Sequence, residues 1–361
     1  MTQRERQLLQ WIEADPMISQ EALAERAGIT RSSVAVHISN LMKKGYIAGK
    51  GYVLRSGTYA VVAGGVNVDI GGRSFAPMVA RDSNPGRVTT SLGGVGRNIA
   101  HNMSLLGVDV RFLTAFGDDL YAQRIAASCG ELGIDISHAL QVPGGTTSTY
   151  LFLNDMDGDM ALAVSDMEIC EKLQPEYFAA NLNLLNRAQL VVADTNLPQA
   201  SLEYLASHCI APIFVDPVST HKAEKLHGVL GKIHTLKPNR IEAELLSGVK
   251  ITDEGSLHRA AQALLDTGLR RVFISLGSDG VFAADHNGFV HQPCLPAKVA
   301  NATGAGDAFM AGLAWAYLEG TDLKDTAALA SAAASIAIEG AETINPVLSV
   351  ESVRERVNVN K

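Results

Sequence analysis

The segment from Asn301 to Asp307 places small residues and one carboxylate directly before a helix-forming run. Gly304, Ala305 and Gly306 predict a tight turn that opens this helix. The first amides of a helix lack partners within it and lie at the positive end of its dipole, so they can hold the negative charge of a phosphate. Asp307 stands at the same point and could take a proton from an attacking hydroxyl. This combination favours phosphoryl transfer, although Asp307 could instead do no more than cap the helix.

A second glycine cluster, Gly93 and Gly94, also precedes an amphipathic helix, which ends at Gly107. Glycine lets a backbone approach a ligand closely, and the nearby Asn98 offers a donor and acceptors to hydroxyl groups. The cluster therefore favours binding of a polyhydroxylated molecule. A plain strand-to-helix turn is the alternative.

The elements that must position these residues alternate along the chain after residue 57. Short apolar segments predict buried strands at 59–66, 110–115, 190–194, 212–216, 233–237 and 271–276, separated by amphipathic helices. Antiparallel strands are predicted at 86–91, 146–153 and 160–164, the last two joined by a turn at Asp157 and Gly158. The pattern predicts an α/β fold with a doubly wound sheet, whose ligands lie beyond the carboxyl ends of its strands.

Composition agrees with a large enzyme that carries a small additional domain. The chain has 361 residues, 47% of them apolar, and a formal charge of −8, which argues against nucleic-acid binding by the whole molecule. Residues 1–57 hold eight Lys and Arg against five Asp and Glu, a net charge of +3 that leaves −11 for the rest. The N-terminal segment is therefore expected to be a separate module.

Targeting and redox signals point to a cytoplasmic protein. The first twenty residues carry several charges instead of an apolar core, and no apolar run is long enough to span a membrane. The four cysteines are scattered without the pairing of a metal site, so we expect free thiols and no structural zinc.

The N-terminal segment predicts three helices, over 4–14, 19–27 and 30–41, with Pro16 and Gly28 as breaks and Thr30 as a cap. This arrangement resembles an all-α winged helix-turn-helix domain over residues 1–56, whose third helix would enter the major groove and whose wing would span 45–54. The expected DNA contacts are Arg31, Ser32, Ser33 and His37, with Lys43, Lys44 and Lys50 on phosphates. An accessory or dimerisation bundle without DNA binding is the alternative.

Three ordered motifs give the remainder of the chain a family resemblance. Gly93-Gly94 with Asn98, the segment Asn239 to Glu242, and Thr303 to Asp307 resemble the signatures of PfkB-type (ribokinase-like) carbohydrate kinases, and the likeness runs from about 58 to about 350. Several further segments resemble bacterial pseudouridine kinases. They are 66–70, 82–86, 147–150, 166–167, 192–194, 215–219 and 234–240.

The resemblance implies a fold and a set of roles. The fold is a ribokinase-like, mostly parallel doubly wound sheet over 58–361, with a small β lid formed by about 70–92 and 145–166. Asp307 would be the base, and the amides from Gly304 to Asp307 the anion site. The ribose pocket would comprise Asn67, Asp69, Gly93, Gly94 and Asn98, with Ser83, Asn84, Thr147 and Asp166 reading the base or ribose from the lid. The nucleotide side would comprise Asn239, Glu242, Gly277, Asp279, Gly280 and Thr303, with the small residues Ala332 to Ala334 allowing a helix to pass close to the adenine. Tight helix packing is the alternative for the 277–280 loop and for the alanines.

The resemblance also implies cofactors and partners. ATP would bring Mg²⁺, held through water by Asn239 and Glu242, and two subunits would pair through their lids. Many ribokinase-like enzymes carry aspartate six residues before the catalytic aspartate, where it helps to hold K⁺. This chain has Asn301 there, which offers an oxygen without a charge, so K⁺ activation stays open.

The sequence therefore predicts ATP-dependent phosphorylation of a nucleoside at its ribose 5′-hydroxyl, with pseudouridine, giving pseudouridine 5′-phosphate, as the closest match. Two alternatives remain. One is a kinase for another ribosyl compound, such as uridine, inosine or ribose. The other is a transcription regulator that senses a nucleoside through a kinase-like domain.

Overall fold

The computed structural model describes residues 2–44, 46–47 and 58–359, and the chain divides into two compact units, Met1–Gly57 and Thr58–Lys361. The first unit contains the helices α1 (Gln3–Ala14), α2 (Gln20–Ala27) and α3 (Arg31–Lys43), within two residues of the predicted bounds. Side chains of Thr2, Ser19 and Thr30 cap them, and Gly28 ends α2 in the left-handed region, at a φ of 63°. The predicted wing falls almost entirely outside the described residues.

The three helices of this small unit pack around a core of their own. Leu8, Ile12, Leu23, Val34, Ile38 and Leu41 form its buried core. The buried Glu5 completes the capping box of α1 and pairs with Lys44 after α3, the Oε2–Nζ distance being 2.7 Å. Its pKa falls to about 2, chiefly because of that contact. The pair ties the start of the first helix to the end of the third.

The second unit contains the following strands and helices. The strands are β1 (Tyr59–Ala63), β2 (Asn67–Ser74), β3 (Gly86–Gly93), β4 (Asp109–Leu113), β5 (Ala115–Phe116), β6 (Leu140–Gln141), β7 (Thr149–Asn154), β8 (Met160–Asp166), β9 (Val191–Asp194), β10 (Ile213–Asp216), β11 (Thr235–Leu236), β12 (Arg271–Ser275), β13 (Val281–Asp285) and β14 (Gly288–Gln292). The helices are α4 (Val95–Leu105), α5 (Leu120–Glu131), α6 (Pro175–Ala180), α7 (Leu182–Arg187), α8 (Gln199–His208), α9 (Thr220–Ala223), α10 (Arg240–Ser247), α11 (Glu254–Asp266), α12 (Ala305–Leu318), α13 (Leu323–Ala337) and α14 (Val350–Val359).

Within residues 58–359, eight strands form the main sheet in the order β14-β13-β12-β11-β10-β9-β1-β4. All pairs from β4 to β12 are parallel, as predicted, and β13 and β14 add an antiparallel edge that was not predicted. Successive side chains pack on opposite faces: Val61 and Val191 belong to one buried layer, Val62 and Val192 to the other. No helix in the described part of the chain is long and apolar enough to cross a membrane.

A second sheet in this unit, in the order β3-β2-β7-β8, forms the lid. Strand β2 was not predicted as a strand. Its register puts Asp69, Ser91 and Tyr150 in one cross-strand row and Thr89, Gly71 and Phe152 in another on the same face. The opposite face carries Val88, Leu151, Leu153, Leu162 and Val164, which are 37% to 70% exposed. The lid thus has one polar and aromatic face and one exposed apolar face.

Candidate active site

Two helix N-termini meet at the centre of the site. Helices α4 and α12 begin after Gly94 and Gly304, whose φ angles of 97° and 83° lie in the region that favours glycine. A Cβ on Gly94 would lie 2.6 Å from the Gly65 carbonyl oxygen, and one on Gly304 would lie 2.3 Å from that of Thr343. No side chain caps either helix.

Asn98 and Asp307 join the two glycine-rich segments directly. Nδ2 of Asn98 donates to Oδ2 of Asp307 at 2.9 Å, although 209 residues separate them in the chain. The amides of Gly306 and Asp307 have no hydrogen-bond partner among the described residues. The structure therefore puts a carboxylate, which can accept a proton, beside an amide side chain and unpaired N–H groups, which can donate to the oxygens of a phosphoryl group.

The surroundings of Asp307 suit a general base. Burial raises its pKa to about 7, and the negative charge of Asp216 adds to the increase. The hydrogen bond from Asn98 and the positive charge of Lys237 oppose it. A base is most effective when its pKa lies near the working pH, so this pKa is compatible with the predicted role of Asp307.

Lys237 and Asp216 form a buried ion pair beside residues 304–307, the turn predicted to bind an anion. The Nζ–Oδ2 distance is 3.0 Å, and the side chains are 10% and 7% exposed. A Cβ on Gly306 would lie 3.2 Å from the Lys237 ammonium, which therefore borders the turn. Burial lowers the pKa of Lys237, but the charge and hydrogen bond of Asp216 outweigh it and raise the pKa overall. Both residues lie in segments that carry the family resemblance, 215–219 and 234–240, but no role was predicted for either of them from the sequence.

Asn239 and Glu242 are engaged with each other at the start of α10. Oδ1 of Asn239 accepts from the Glu242 N–H at 2.9 Å, and Oε2 of Glu242 accepts from the Asn239 N–H at 2.8 Å. Among the described residues, no group of three or more His, Cys, Asp or Glu could hold a metal ion. These donors fit Mg²⁺ only as the magnesium of a nucleotide, which keeps most of its waters and is bound largely by phosphates.

An apolar cavity of about 280 Å³ lies among residues predicted to bind the nucleotide. Its lining includes Lys237, Gly277, Gly280, Ala305 and Gly306. The remaining lining includes Ser275, Val281, Cys294, Leu295, Phe309, Ser331, Ala334, Ser335 and Ile338. Gly277, Gly280 and Ala334 thus line one cavity with Ala305 and Gly306 at the start of α12. Asp279 instead forms an ion pair with Arg240 at 3.5 Å, and Thr303 borders another cavity.

That other cavity, of about 1040 Å³, lies under the polar face of the lid. Its walls include Asp69, Arg97, His101, Tyr150 and Phe152, together with the following residues. They are Thr89, Thr90, Ser91, Leu92, Asn154, Gly158, Met160, Asn301, Thr303, Ala341, Glu342, Thr343, Ile344 and Pro346.

Asp69 is the predicted sugar-binding carboxylate on this wall. It lies inside β2, and its Oδ1 accepts from Nδ2 of Asn67 at 2.6 Å. Burial raises its pKa. A Cβ on Gly93 would lie 2.2 Å from Oδ2 of Asp69, so glycine is required for the carboxylate to reach this position. Asn67, Asp69, Gly93 and Gly94 therefore lie together, and Asn98 lies one helical turn beyond Gly94, whose carbonyl oxygen accepts its N–H at 2.8 Å.

The four residues expected to read the base from the lid, Ser83, Asn84, Thr147 and Asp166, do not line this cavity. Asn84 bonds to the backbone of Val79 and Asp82 in an exposed loop that also holds Ser83. Thr147 is buried, and its hydroxyl donates to Oδ1 of Asp119 at 2.8 Å. Asp166 is exposed and lies on the lid in the row opposite Thr149.

Asp194 holds the backbone near the site in place through buried hydrogen bonds. It ends β9, is buried, and accepts the N–H groups of Gly65 and Asn196 at 2.9 and 2.8 Å. Burial raises its pKa to about 6. A Cβ on Gly64 or Gly96 would lie 2.2 or 3.1 Å from its carboxylate. Asp194 therefore fixes the turn between β1 and β2, whose Gly65 carbonyl oxygen accepts the N–H of Arg97 in the first turn of α4.

The predicted DNA contacts lie on α3 of the first unit. Arg31 and Ser32 are exposed, while Ser33 and His37 are half-buried. Arg31 forms an exposed ion pair with Glu21 at 3.0 Å. Of the three lysines, Lys43 is exposed, Lys44 is occupied by Glu5, and Lys50 lies outside the described residues.

Comparison with known proteins identifies both parts of the chain. The model of the pfkB family of carbohydrate kinases matches residues 58–349, and a winged helix-turn-helix DNA-binding model matches residues 1–48. The uncharacterized sugar kinase YeiI of Escherichia coli is 38% identical over 98% of this chain and 98% of its own length. The pseudouridine kinase of the same species is 38% identical over 83% of this chain and 96% of its own.

Structural similarity agrees with the family. Ribokinase of Thermotoga maritima superposes with a TM-score of 0.75 over 84% of this chain and 100% of its own, at 22% identity, which shows a common fold. The predicted family and fold class are confirmed. The chain belongs to the pfkB family of carbohydrate kinases, as an ATP-dependent sugar or nucleoside kinase with an N-terminal winged helix-turn-helix module.

Proposed function

We propose that this kinase phosphorylates the ribose 5′-hydroxyl of a nucleoside, and that pseudouridine is its substrate, giving pseudouridine 5′-phosphate. The contact between Asn98 and Asp307 carries the proposal, because it brings a hydroxyl-binding amide within hydrogen-bond distance of a carboxylate whose pKa suits a base. The 38% identity to the pseudouridine kinase of E. coli supports the choice of substrate.

The residues of the site divide the reaction between them. Asp69 accepts hydrogen bonds from the ribose hydroxyls and Asn67 donates to them, while Asn98 orients the 5′-hydroxyl toward Asp307. Asp307 takes the proton as the oxygen attacks phosphorus. The amides of Gly306 and Asp307 and the Lys237 ammonium stabilise charge on the transferring group. Mg²⁺, held through water near Asn239 and Glu242, would neutralise phosphate charge.

Features of the lid cavity favour a nucleoside over free ribose. Its volume of about 1040 Å³ exceeds what a pentose needs. Tyr150 and Phe152 present neighbouring rings, with centroids 5.8 Å apart, on which a base could stack. The base would then lie between the lid and α4.

Two residues of the same cavity wall have hydrogen-bonding atoms left unpaired in the part of the chain that the structure describes. Oδ1 of Asn154 and Nδ1 of His101 are buried without a partner among the described residues. Burial, aided by the charge of Arg97, lowers the pKa of His101 to about 4, so its ring is neutral at physiological pH. Pseudouridine has one more ring N–H than uridine, and either atom could accept it. We propose His101 and Asn154 for this role in preference to Asp166.

Turnover tests the proposal directly. ADP release with ATP and Mg²⁺ should occur with pseudouridine and fall to background in Asp307→Asn, and uridine, inosine and ribose should be poor substrates. His101→Ala and Asn154→Ala should reduce the preference for pseudouridine over uridine. Turnover of another panel member would change the substrate and keep the chemistry. Tight nucleoside binding without turnover by the wild type would instead establish a sensor.

The apolar face of the lid is proposed to pair two subunits. Val88, Leu153 and Leu162 form one row and Leu151 and Val164 the next, on the side away from the cavity. A contiguous exposed apolar face of this kind is typical of a protein interface. A homodimer that buries it would leave both cavities open to substrate.

The N-terminal module is proposed to bind DNA through α3. The exposed pair between Arg31 and Glu21 is weak, so Arg31 is available to a phosphate or base. Anisotropy with labelled duplex DNA should show salt-dependent binding that weakens several-fold in Arg31→Ala and stays unchanged in Arg259→Ala, an exposed arginine of α11. Equal binding by both variants would rule out this face.

A further inference from the structure

The side chain of Asn301 has both of its polar atoms in use. Oδ1 accepts from the Thr303 N–H at 2.9 Å, and Nδ2 donates to the Ala341 carbonyl oxygen at 3.3 Å. The orientation of the amide follows from these partners, because Thr303 presents a donor and Ala341 an acceptor. Asn301 thereby ties the segment before α12 to the segment after α13.

Backbone contacts close the same seam, formed by residues 300–304 against 338–343. The N–H groups of Ala300 and Asn301 donate to the Ile338 carbonyl oxygen at 2.8 and 3.1 Å. The Thr343 carbonyl oxygen lies where a side chain on Gly304 would stand. The seam therefore positions Gly304 and, through it, the amides of the anion-binding turn.

The seam does not fit a monovalent cation. Such an ion needs oxygens with electron pairs directed at it, preferably with negative charge. Here the Ala341 oxygen accepts an N–H group and Oδ1 of Asn301 accepts another, and the side chain is neutral. Aspartate at this position would place a second oxygen 3.3 Å from that of Ala341, an arrangement that is repulsive unless a cation lies between them.

We infer that the Asn301 amide takes the place of the K⁺ ion used by many ribokinase-like enzymes, so that this kinase works without a monovalent cation. An N–H group bridges the two segments with a fixed covalent geometry and no dependence on salt. Only the part of the test that measures turnover rests on the proposed function.

The test compares KCl, NaCl and tetramethylammonium chloride at equal ionic strength, on the full chain. Melting temperature without ligands and ADP release with ATP, Mg²⁺ and pseudouridine are measured for the wild type and Asn301→Asp. Wild-type rates should agree within about twofold in all salts, whereas Asn301→Asp should be about tenfold faster, and more stable, in KCl. Asn287→Asp, the same change in an exposed turn, serves as the control and should show no preference.

A wild type whose rate or melting temperature rises in KCl alone would overturn the inference, as would a folded Asn301→Asp variant indifferent to K⁺. If that variant fails to fold, Asn301→Ala decides: its rate should be lower and equal in all salts, and rescue by K⁺ would contradict the inference. A wild type with no turnover but a salt-independent melting temperature would sink the proposed function and support this inference.

Discussion

Replacing Asn98 with alanine should raise the pKa of Asp307 and move the acidic limb of the rate profile to higher pH. The 2.9 Å hydrogen bond favours the ionised carboxylate, and a bond to a charged group contributes about 1.5–3 kcal/mol. One pKa unit corresponds to about 1.4 kcal/mol. Because water can replace the amide in a half-buried cleft, we take the low end and expect the pKa to rise from about 7 by about one unit.

The expected loss depends on pH. At pH 6 about one tenth of Asp307 is ionised in the wild type and about one hundredth in the variant, whereas at pH 9 nearly all is ionised in both. Turnover should therefore fall about tenfold at pH 6 and change little at pH 9. The assay measures kcat with saturating ATP and nucleoside across this range, at constant ionic strength.

A matched control separates this effect from damage to the helix. Asn102 lies one turn further along α4, and its Nδ2 donates to the main-chain oxygen of Asn98 at 3.0 Å. Asn102→Ala should leave the limb where it is, and Asp307→Asn should give the background rate. An Asn98→Ala profile that drops uniformly, with the limb in place, would refute the reasoning and restrict Asn98 to substrate binding.

Three further predictions concern stability and assembly. Asp307→Asn should melt at a higher temperature than the wild type at pH 8 and lose that advantage toward pH 4. A carboxyl whose pKa is raised on folding destabilises the folded state, and this cost grows as the pH rises from the unfolded pKa to about 7. Equal melting temperatures at every pH would contradict the raised pKa. Lys237→Met should lower both the melting temperature and kcat, since the buried carboxylate of Asp216 loses its partner. Adding Asp216→Asn should restore the melting temperature but not kcat. Recovery of both would leave Lys237 with a structural role only. Leu162→Lys should give monomers in light scattering where Ile210→Lys, at another exposed apolar position, does not; a Leu162→Lys dimer would exclude the lid as the interface.

Local signals account for the parts of the structure that the sequence predicts well. Ser19, Thr30 and Gly28 mark helix ends through contacts within four residues, so the bounds of α2 and α3 follow from sequence. The two glycine-rich turns are predicted for the same reason. Their convergence at Asn98 and Asp307 rests on the family resemblance, since no local pattern reports a contact across 209 residues.

What the sequence could not supply depends on pairing between strands. Strand β2 alternates polar and apolar residues only over 67–70 and continues into Gly71 and Gly72, so its full length is defined by its partners β3 and β7. Lys237 contacts Asp216 because β11 lies beside β10 in the sheet. The residues of the two strands do not reveal that the strands are neighbours. Thr147 is a plausible ligand by type, yet Asp119 occupies its hydroxyl.

The two-residue repeat of the lid has a consequence for how such an enzyme can diversify. Among the lid strands the pattern is clearest on β7, where substitutions at Tyr150 or Phe152 alter what the cavity accepts while the intervening Leu151 remains untouched on the reverse side. Selection for a new substrate can therefore act on alternate codons without remodelling the outer surface. A single-residue insertion within these strands would exchange the two sets of side chains at once, so change should proceed by substitution there and by length variation only in the connecting loops.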